Sequence, residues 1–93
     1  MHAFDHDGVE IAYIDVPPTT EDRGEPILLI HGFASTHAVN WVNTAWVRTL
    51  THAGRRVIAL DNRGHGRSGK PREAKDYVTD IMAGDAAALL KHL

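Results

Sequence analysis

The sequence predicts an α/β fold in which a β-hairpin leads into parallel strands joined by crossover helices. Three observations carry that prediction. Ile27 to Ile30 and R-V-I-A-L-D, from Arg56 to Asp61, carry continuous apolar runs, too short for helices and suited to strands buried on both faces. Between them, Val42, Trp46, Thr49, Leu50 and Ala53 recur at the spacing of a helical stripe, so strand, helix and strand form a βαβ unit. Ahead of both, Asp7-Gly8, a pair that accepts positive φ, separates two strand-like runs in H-A-F-D-H-D-G-V-E-I-A-Y-I-D-V, the pattern of a tight hairpin.

In the second arm of the hairpin, Val9, Ile11 and Tyr13 alternate on one side and Ile14 and Val16 on the other, giving both faces apolar weight. Pro17 to Pro26, with T-T-E-D-R-G-E at its centre, reads as a surface link. Gly54 is placed to end the first helix in a left-handed cap. Trp46, on the stripe, is assigned to the core, while Trp41 near the helix start either lines a pocket or packs on the loop. Val78, Ile81, Met82, Ala86, Leu89 and Leu93 describe a second amphipathic helix, interrupted by Gly84, with Asp76 as its N-cap. Leu89, Leu90 and Leu93 form an apolar end, and buried parallel strands need more layers than this chain supplies. Residues 1–93 are therefore expected to be the N-terminal section of a single larger domain, incomplete by itself.

Composition narrows the function classes. With 43% apolar and 24% charged residues, the chain has the makeup of a globular domain rather than a disordered tail. A net charge of -2 gives no electrostatic footing for nucleic acid or an anionic membrane, and Arg55-Arg56 and Arg63 to Arg72 are local basic spots on solvated loops. No apolar run approaches the ~20 residues of a membrane span, and M-H-A-F-D-H-D lacks the basic start and apolar core of a signal peptide. A cytoplasmic location is the resulting expectation. Without cysteine there is no disulfide framework and no thiolate zinc site. The seven histidines show no H-E-x-x-H and are scattered over separate elements, so no metal and no other cofactor is expected.

The stretch D-N-R-G-H-G-R-S-G-K-P, Asp61 to Pro71, matches both a dinucleotide fingerprint and most of a phosphate-binding P-loop. Neither match is complete. A P-loop needs Ser or Thr after its Lys to bind magnesium, and position 71 is Pro. A dinucleotide loop opens its helix at once, whereas K-P-R-E-A-K-D-Y intervenes here, and the acidic residue expected about 20 positions on is missing, because Asp85 falls in a helix. On local chemistry the glycines shape a tight loop, Asp61 and Ser68 hydrogen-bond nearby backbone, and Arg63 braces carbonyls or Asp61.

Two separated motifs, I-L-L-I-H-G-F-A-S at Ile27 to Ser35 and V-I-A-L-D-N-R-G-H-G-R-S-G-K-P at Val57 to Pro71, together resemble the N-terminal part of the α/β-hydrolase fold family. Order, separation and the leading hairpin all fit, and the resemblance covers nearly the whole chain. It implies that His31-Gly32-Phe33 carries the oxyanion hole, with the Phe33 amide as donor and a second donor from the residue after the nucleophile. The Phe33 side chain then lines the substrate pocket with Gly32, Ala34 and Trp41. His31, Asp61, Arg63, Gly64, Gly66 and Ser68 keep structural roles in their loops. Independently of the family, a sharp exit from a buried parallel strand is where open α/β sheets place ligands, and Gly32 would let backbone approach backbone there.

The resemblance implies acyl transfer to a serine, activated by histidine and an acidic residue, on a carboxylic ester or related acyl substrate. Those three residues would follow Leu93: there is no G-x-S-x-G, Ser35 sits in S-T-H and Ser68 in R-S-G, so this chain alone should be inactive. Family members that open epoxides usually carry Pro at the position of Ala34, and many haloalkane dehalogenases carry Asn at that of Phe33. H-G-F-A-S is closer to esterases, with lactone or epoxide hydrolysis and carbon-carbon bond cleavage left open. A non-catalytic member using the same pocket for binding is the rival class. A nucleotide-binding protein is the third.

Overall fold

The computed structural model describes residues 1–93. Strands β1 (His2–His6) and β2 (Val9–Val16) pair antiparallel, joined by Asp7 at φ 49° and Gly8 at φ 85°. Positive φ at both turn positions gives the twist that flanking strands require, and the Asp5 carboxylate accepts the Gly8 N–H at 3.1 Å.

Strands β3 (Ile27–Ile30) and β4 (Val57–Leu60) complete a four-stranded sheet in the order β1-β2-β4-β3. β4 runs antiparallel to β2 and parallel to β3, so the connection from β3 to β4 is the expected crossover. All four residues of β4 are buried. β3 departs from the prediction: as the sheet's edge it is half-buried, and Ile30 is 50% exposed.

The predicted helical stripe does not form one helix. Ala38–Val42 is a π-helical turn closed by the Asn43 N–H on the Ala38 carbonyl at 2.8 Å. Ala45 then adopts φ 68°, a left-handed conformation that cannot continue a right-handed helix. Helix α1 (Trp46–His52) starts afresh and turns Val47 and Thr51 inward, four residues apart on one face. Trp46 is consequently 53% exposed rather than core, and Val42 is 44% exposed. Gly54, at φ 89°, ends the helix as expected, its N–H on the Thr51 carbonyl at 3.1 Å. The polar link is laid over this end by Thr19 N–H to the Thr51 carbonyl at 3.0 Å and Arg23 N–H to the Gly54 carbonyl at 2.9 Å.

Helix α2 (Thr79–His92) covers one face of the sheet, where Phe4, Ile11, Tyr13, Ile58, Leu60, Ala86 and Leu89 form the core. Ile11, Leu60 and Leu89 are fully buried, each contributing about 1.5–3 kcal/mol of transfer free energy. Val57 and Ala59 point to the opposite face, and α1 packs against β4. Asp76 is not the N-cap of α2. It belongs to a 3-10 turn, Ala74–Tyr77, and α2 begins after Val78 with no side-chain cap.

Arg56 grips Asp15 across β2 and β4 with two hydrogen bonds, Nε to Oδ1 at 2.8 Å and Nη2 to Oδ2 at 2.6 Å. These bonds hold the Asp15 carboxyl below the usual carboxylate range, and the Arg56 guanidinium is pushed up in turn. The unfolded chain, titrating near 3.9, binds this proton more readily than the folded one, so the stabilisation is present above that pH and lost as pH falls through the folded value. Urea midpoints should therefore fall below about pH 4, with Asp15→Asn flattening the decline. An unchanged slope in that variant would remove Asp15 from the explanation.

Candidate active site

Ile30 and Leu60 are register partners in the parallel pair, so the loops leaving β3 and β4 emerge side by side at the C-terminal edge of the sheet. That edge is where open α/β sheets bind ligands.

The loop after β4 is built around its own carboxylate. Asp61, 1% exposed, accepts the His37 N–H and the His37 Nδ1–H, each at 2.8 Å, and the Arg67 N–H at 3.1 Å. Burial alone would raise its pKa, but the His37 and Arg67 amides and the His37 ring outweigh it and hold Asp61 below the ordinary range. Gly66 has φ 50°, and a Cβ there would strike the Asp61 carboxylate; Gly64 has φ 81°, and a Cβ there would lie 2.6 Å from the Tyr77 ring. The Ser68 hydroxyl donates to the Asp61 carbonyl and accepts the Ala12 N–H at 2.9 Å, tying the loop to β2. The Arg67 amide of this glycine-rich loop is thus engaged by Asp61.

Arg63 does not brace Asp61. Its guanidinium makes a two-pronged pair with Asp85 of α2, both bonds at 2.7 Å, and donates to the Asp76 carbonyl at 3.0 Å. Asp85 also accepts from His6 Nδ1 at 2.7 Å, so β1, the β4 loop and α2 meet at one buried carboxylate. The hydrogen bond to Asp85 pushes the Arg63 pKa up despite burial.

In the loop after β3, His31 Nε2 accepts the Asn62 N–H at 2.9 Å, which leaves its proton on Nδ1 to be donated to the Gly32 carbonyl at 2.7 Å. Asn62 Nδ2 also donates to the His31 carbonyl at 3.1 Å. The Gly32 amide is engaged by Asn40 Oδ1 at 3.2 Å, and the Ala34 amide by His65 Nε2 at 3.0 Å. Between them the Phe33 amide has no acceptor in the chain. Ala34 adopts φ 59°, an uncommon conformation for a residue with a Cβ. Gly32 has no such need, since a Cβ there would meet nothing within 4 Å.

Phe33, 95% exposed, and Ala34 form one wall of a cleft of about 460 Å³ completed by Gly64, His65, Tyr77 and Met82. Gly32 and Trp41 are not among its lining residues. Trp41 is half-buried with its indole N–H unpartnered, as is the Ser35 hydroxyl. Sequence reasoning missed His37, His65, Tyr77, Met82 and the pairing of Asp85. Only His65 had a local signal, a ring between two glycines of a loop that cannot hide it. No group of three or more His, Cys, Asp or Glu could hold a metal ion, and no helix is long and apolar enough to cross a membrane.

This sheet order, with the paired loops at its C-terminal edge, defines a class: the family model described as alpha/beta hydrolase fold matches residues 25–93, and the chain belongs to that family. Among curated relatives, it is 37% identical over 79 residues to an epoxide hydrolase B of Mycobacterium tuberculosis, covering 85% of this chain and 21% of that protein. It is 45% identical over 78 residues to a monoacylglycerol lipase of Mycolicibacterium smegmatis, covering 80% of this chain and 26% of that protein. Among solved structures, a probable hydrolytic enzyme from Pseudomonas aeruginosa PAO1 superposes with a TM-score of 0.81 at 34% identity, over 98% of this chain and 28% of that one. The chain therefore spans about a quarter of the length of the relatives it matches and corresponds to the N-terminal part of their fold.

Proposed function

We propose that residues 1–93 are the N-terminal section of one α/β-hydrolase domain and supply the oxyanion-hole loop of a serine hydrolase acting on carboxylic esters or related acyl substrates. The observation that carries this reading is the unpaired Phe33 amide, flanked by the engaged amides of Gly32 and Ala34, at the wall of a largely apolar cleft. A free N–H held in a preformed loop costs no reorganisation when a carbonyl oxygen becomes an oxyanion, and each such donor contributes about 2.7 to 4 kcal/mol to the transition state. The second donor, the nucleophilic serine, its histidine and an acidic residue come from the part of the domain that follows. Phe33, Ala34, Tyr77 and Met82 suit an apolar acyl or alkyl group. No cofactor enters this chemistry.

Full-length protein should turn over p-nitrophenyl butyrate and lose that activity to a serine-directed fluorophosphonate. Complete inertness, together with a substituted nucleophile elbow, would replace this reading with a non-catalytic binding protein of the same fold. A second reading, epoxide opening, is favoured by the 37% identity to an epoxide hydrolase. Turnover of styrene oxide without ester hydrolysis would establish it.

A further inference from the structure

The loops after β3 and β4 are joined by two histidines that work in opposite directions. His31, on the β3 loop, accepts the Asn62 N–H of the β4 loop at 2.9 Å. His65, on the β4 loop, accepts the Ala34 N–H of the β3 loop at 3.0 Å. Each ring spends its other nitrogen on a carbonyl of its own loop: His31 Nδ1 on Gly32 at 2.7 Å, and His65 Nδ1 on Arg63 at 3.0 Å. An imidazole accepts at Nε2 only when that nitrogen is bare, so both rings are in the neutral Nδ1–H form. The rings lie 5.1 Å apart, and the Phe33 ring stands edge-on to His65 at 6.0 Å.

We propose that this reciprocal pair, and His65 in particular, is a positioning device for the oxyanion loop: by capturing the Ala34 amide, His65 holds Ala34 in its left-handed conformation and leaves the Phe33 amide as the free donor. Two features converge on it. Ala34 at φ 59° is strained for a residue with a Cβ, so something must hold it there, and the bond its amide donates to His65 Nε2 is the contact that does so. The captured N–H belongs to the Phe33–Ala34 peptide, one residue beyond the Gly32–Phe33 peptide that carries the Phe33 amide, so releasing it frees the Phe33 torsions and lets the preceding amide swing. Neither histidine transfers a proton, because both nitrogens of each ring are already committed. Their contribution is geometric, and it rests on the oxyanion role proposed for Phe33.

The test uses full-length protein with His65→Phe, which keeps a ring edge beside Phe33 but cannot accept, and His65→Gln, which restores an acceptor. His65→Phe should lower kcat about 10- to 100-fold with KM changed little, since a misplaced donor costs transition-state stabilisation more than substrate binding. His65→Gln should recover most of that loss. A proportional rise in KM with constant kcat, or no recovery in the Gln variant, would overturn the proposal. Imidazole ¹⁵N shifts of the unmodified protein supply an activity-independent readout: the Nδ1–H form at both His31 and His65 is expected. The Nε2–H form at His65 would refute the clasp outright, whatever the catalysis. An intact clasp in a protein with no hydrolase activity would instead refute the oxyanion role and leave the loop geometry standing.

Discussion

Replacing Arg63 by Ala should cost about 3 to 5 kcal/mol of folding stability, a large part of the ~5–15 kcal/mol that a whole domain commands. Arg63 is 3% exposed and Asp85 1% exposed, and the guanidinium meets both carboxylate oxygens at 2.7 Å. Removing it leaves a buried carboxylate with only His6 at 2.7 Å and leaves the Asp76 carbonyl without its donor. Most of the expected cost is therefore the penalty of an orphaned charge, not the net worth of the pair. Arg63→Met combined with Asp85→Leu removes both charges and should recover much of the stability, because an apolar pair of similar volume matches or exceeds a buried ion pair. Urea unfolding of the two variants decides the matter. A loss below about 1 kcal/mol in Arg63→Ala would mean that the carboxylate finds solvent that the fold denies it.

Gly66→Ala should cost about 3 kcal/mol, combining left-handed strain with disruption of a buried carboxylate. At φ 50° a new Cβ would press on Asp61, whose oxygens hold the His37 and Arg67 amides and the His37 ring. Gly8→Ala is the matched control. Gly8 sits at φ 85° with nothing within 4 Å of a built Cβ, so that variant carries the backbone strain alone, about 1–2 kcal/mol. The difference between the two isolates the contact with Asp61. Equal losses would show that the β4 loop gives way without disturbing its carboxylate.

The backbone plan was legible because its signals are local. Asp7-Gly8 dictates a hairpin, the run Val57 to Leu60 reads as a buried strand, and Gly54 ends a helix, each from a few adjacent residues. The stripe from Val42 to Ala53 misled because periodicity cannot register a single break: Ala45 at φ 68° splits the segment and rotates Trp46 outward. Asp76 looked like an N-cap until the 3-10 turn Ala74–Tyr77 moved the helix start past it.

The candidate site was legible where its motif is contiguous and hidden where its contacts are distant. His31-Gly32-Phe33 marks the loop after β3. That His65 would reach the Ala34 amide 31 residues away, or that Arg63 would choose Asp85 over Asp61, depends on how the β4 loop is laid against β3 and α2. A charged residue on a helix also reads as solvent-facing until its partner is known, so the sequence places Asp85 in a helix without signalling its pairing with Arg63.

In the proposed function the free backbone N–H of Phe33 stabilises an oxyanion. Replacing Phe33 by phenyllactic acid in the full-length protein exchanges that N–H for an ester oxygen and keeps the side chain. The expected result is a fall in kcat for p-nitrophenyl butyrate of about 10²- to 10³-fold with KM near its original value. A fall of less than about threefold, under 1 kcal/mol of transition-state free energy, would contradict the claim and return the loop to a purely structural role.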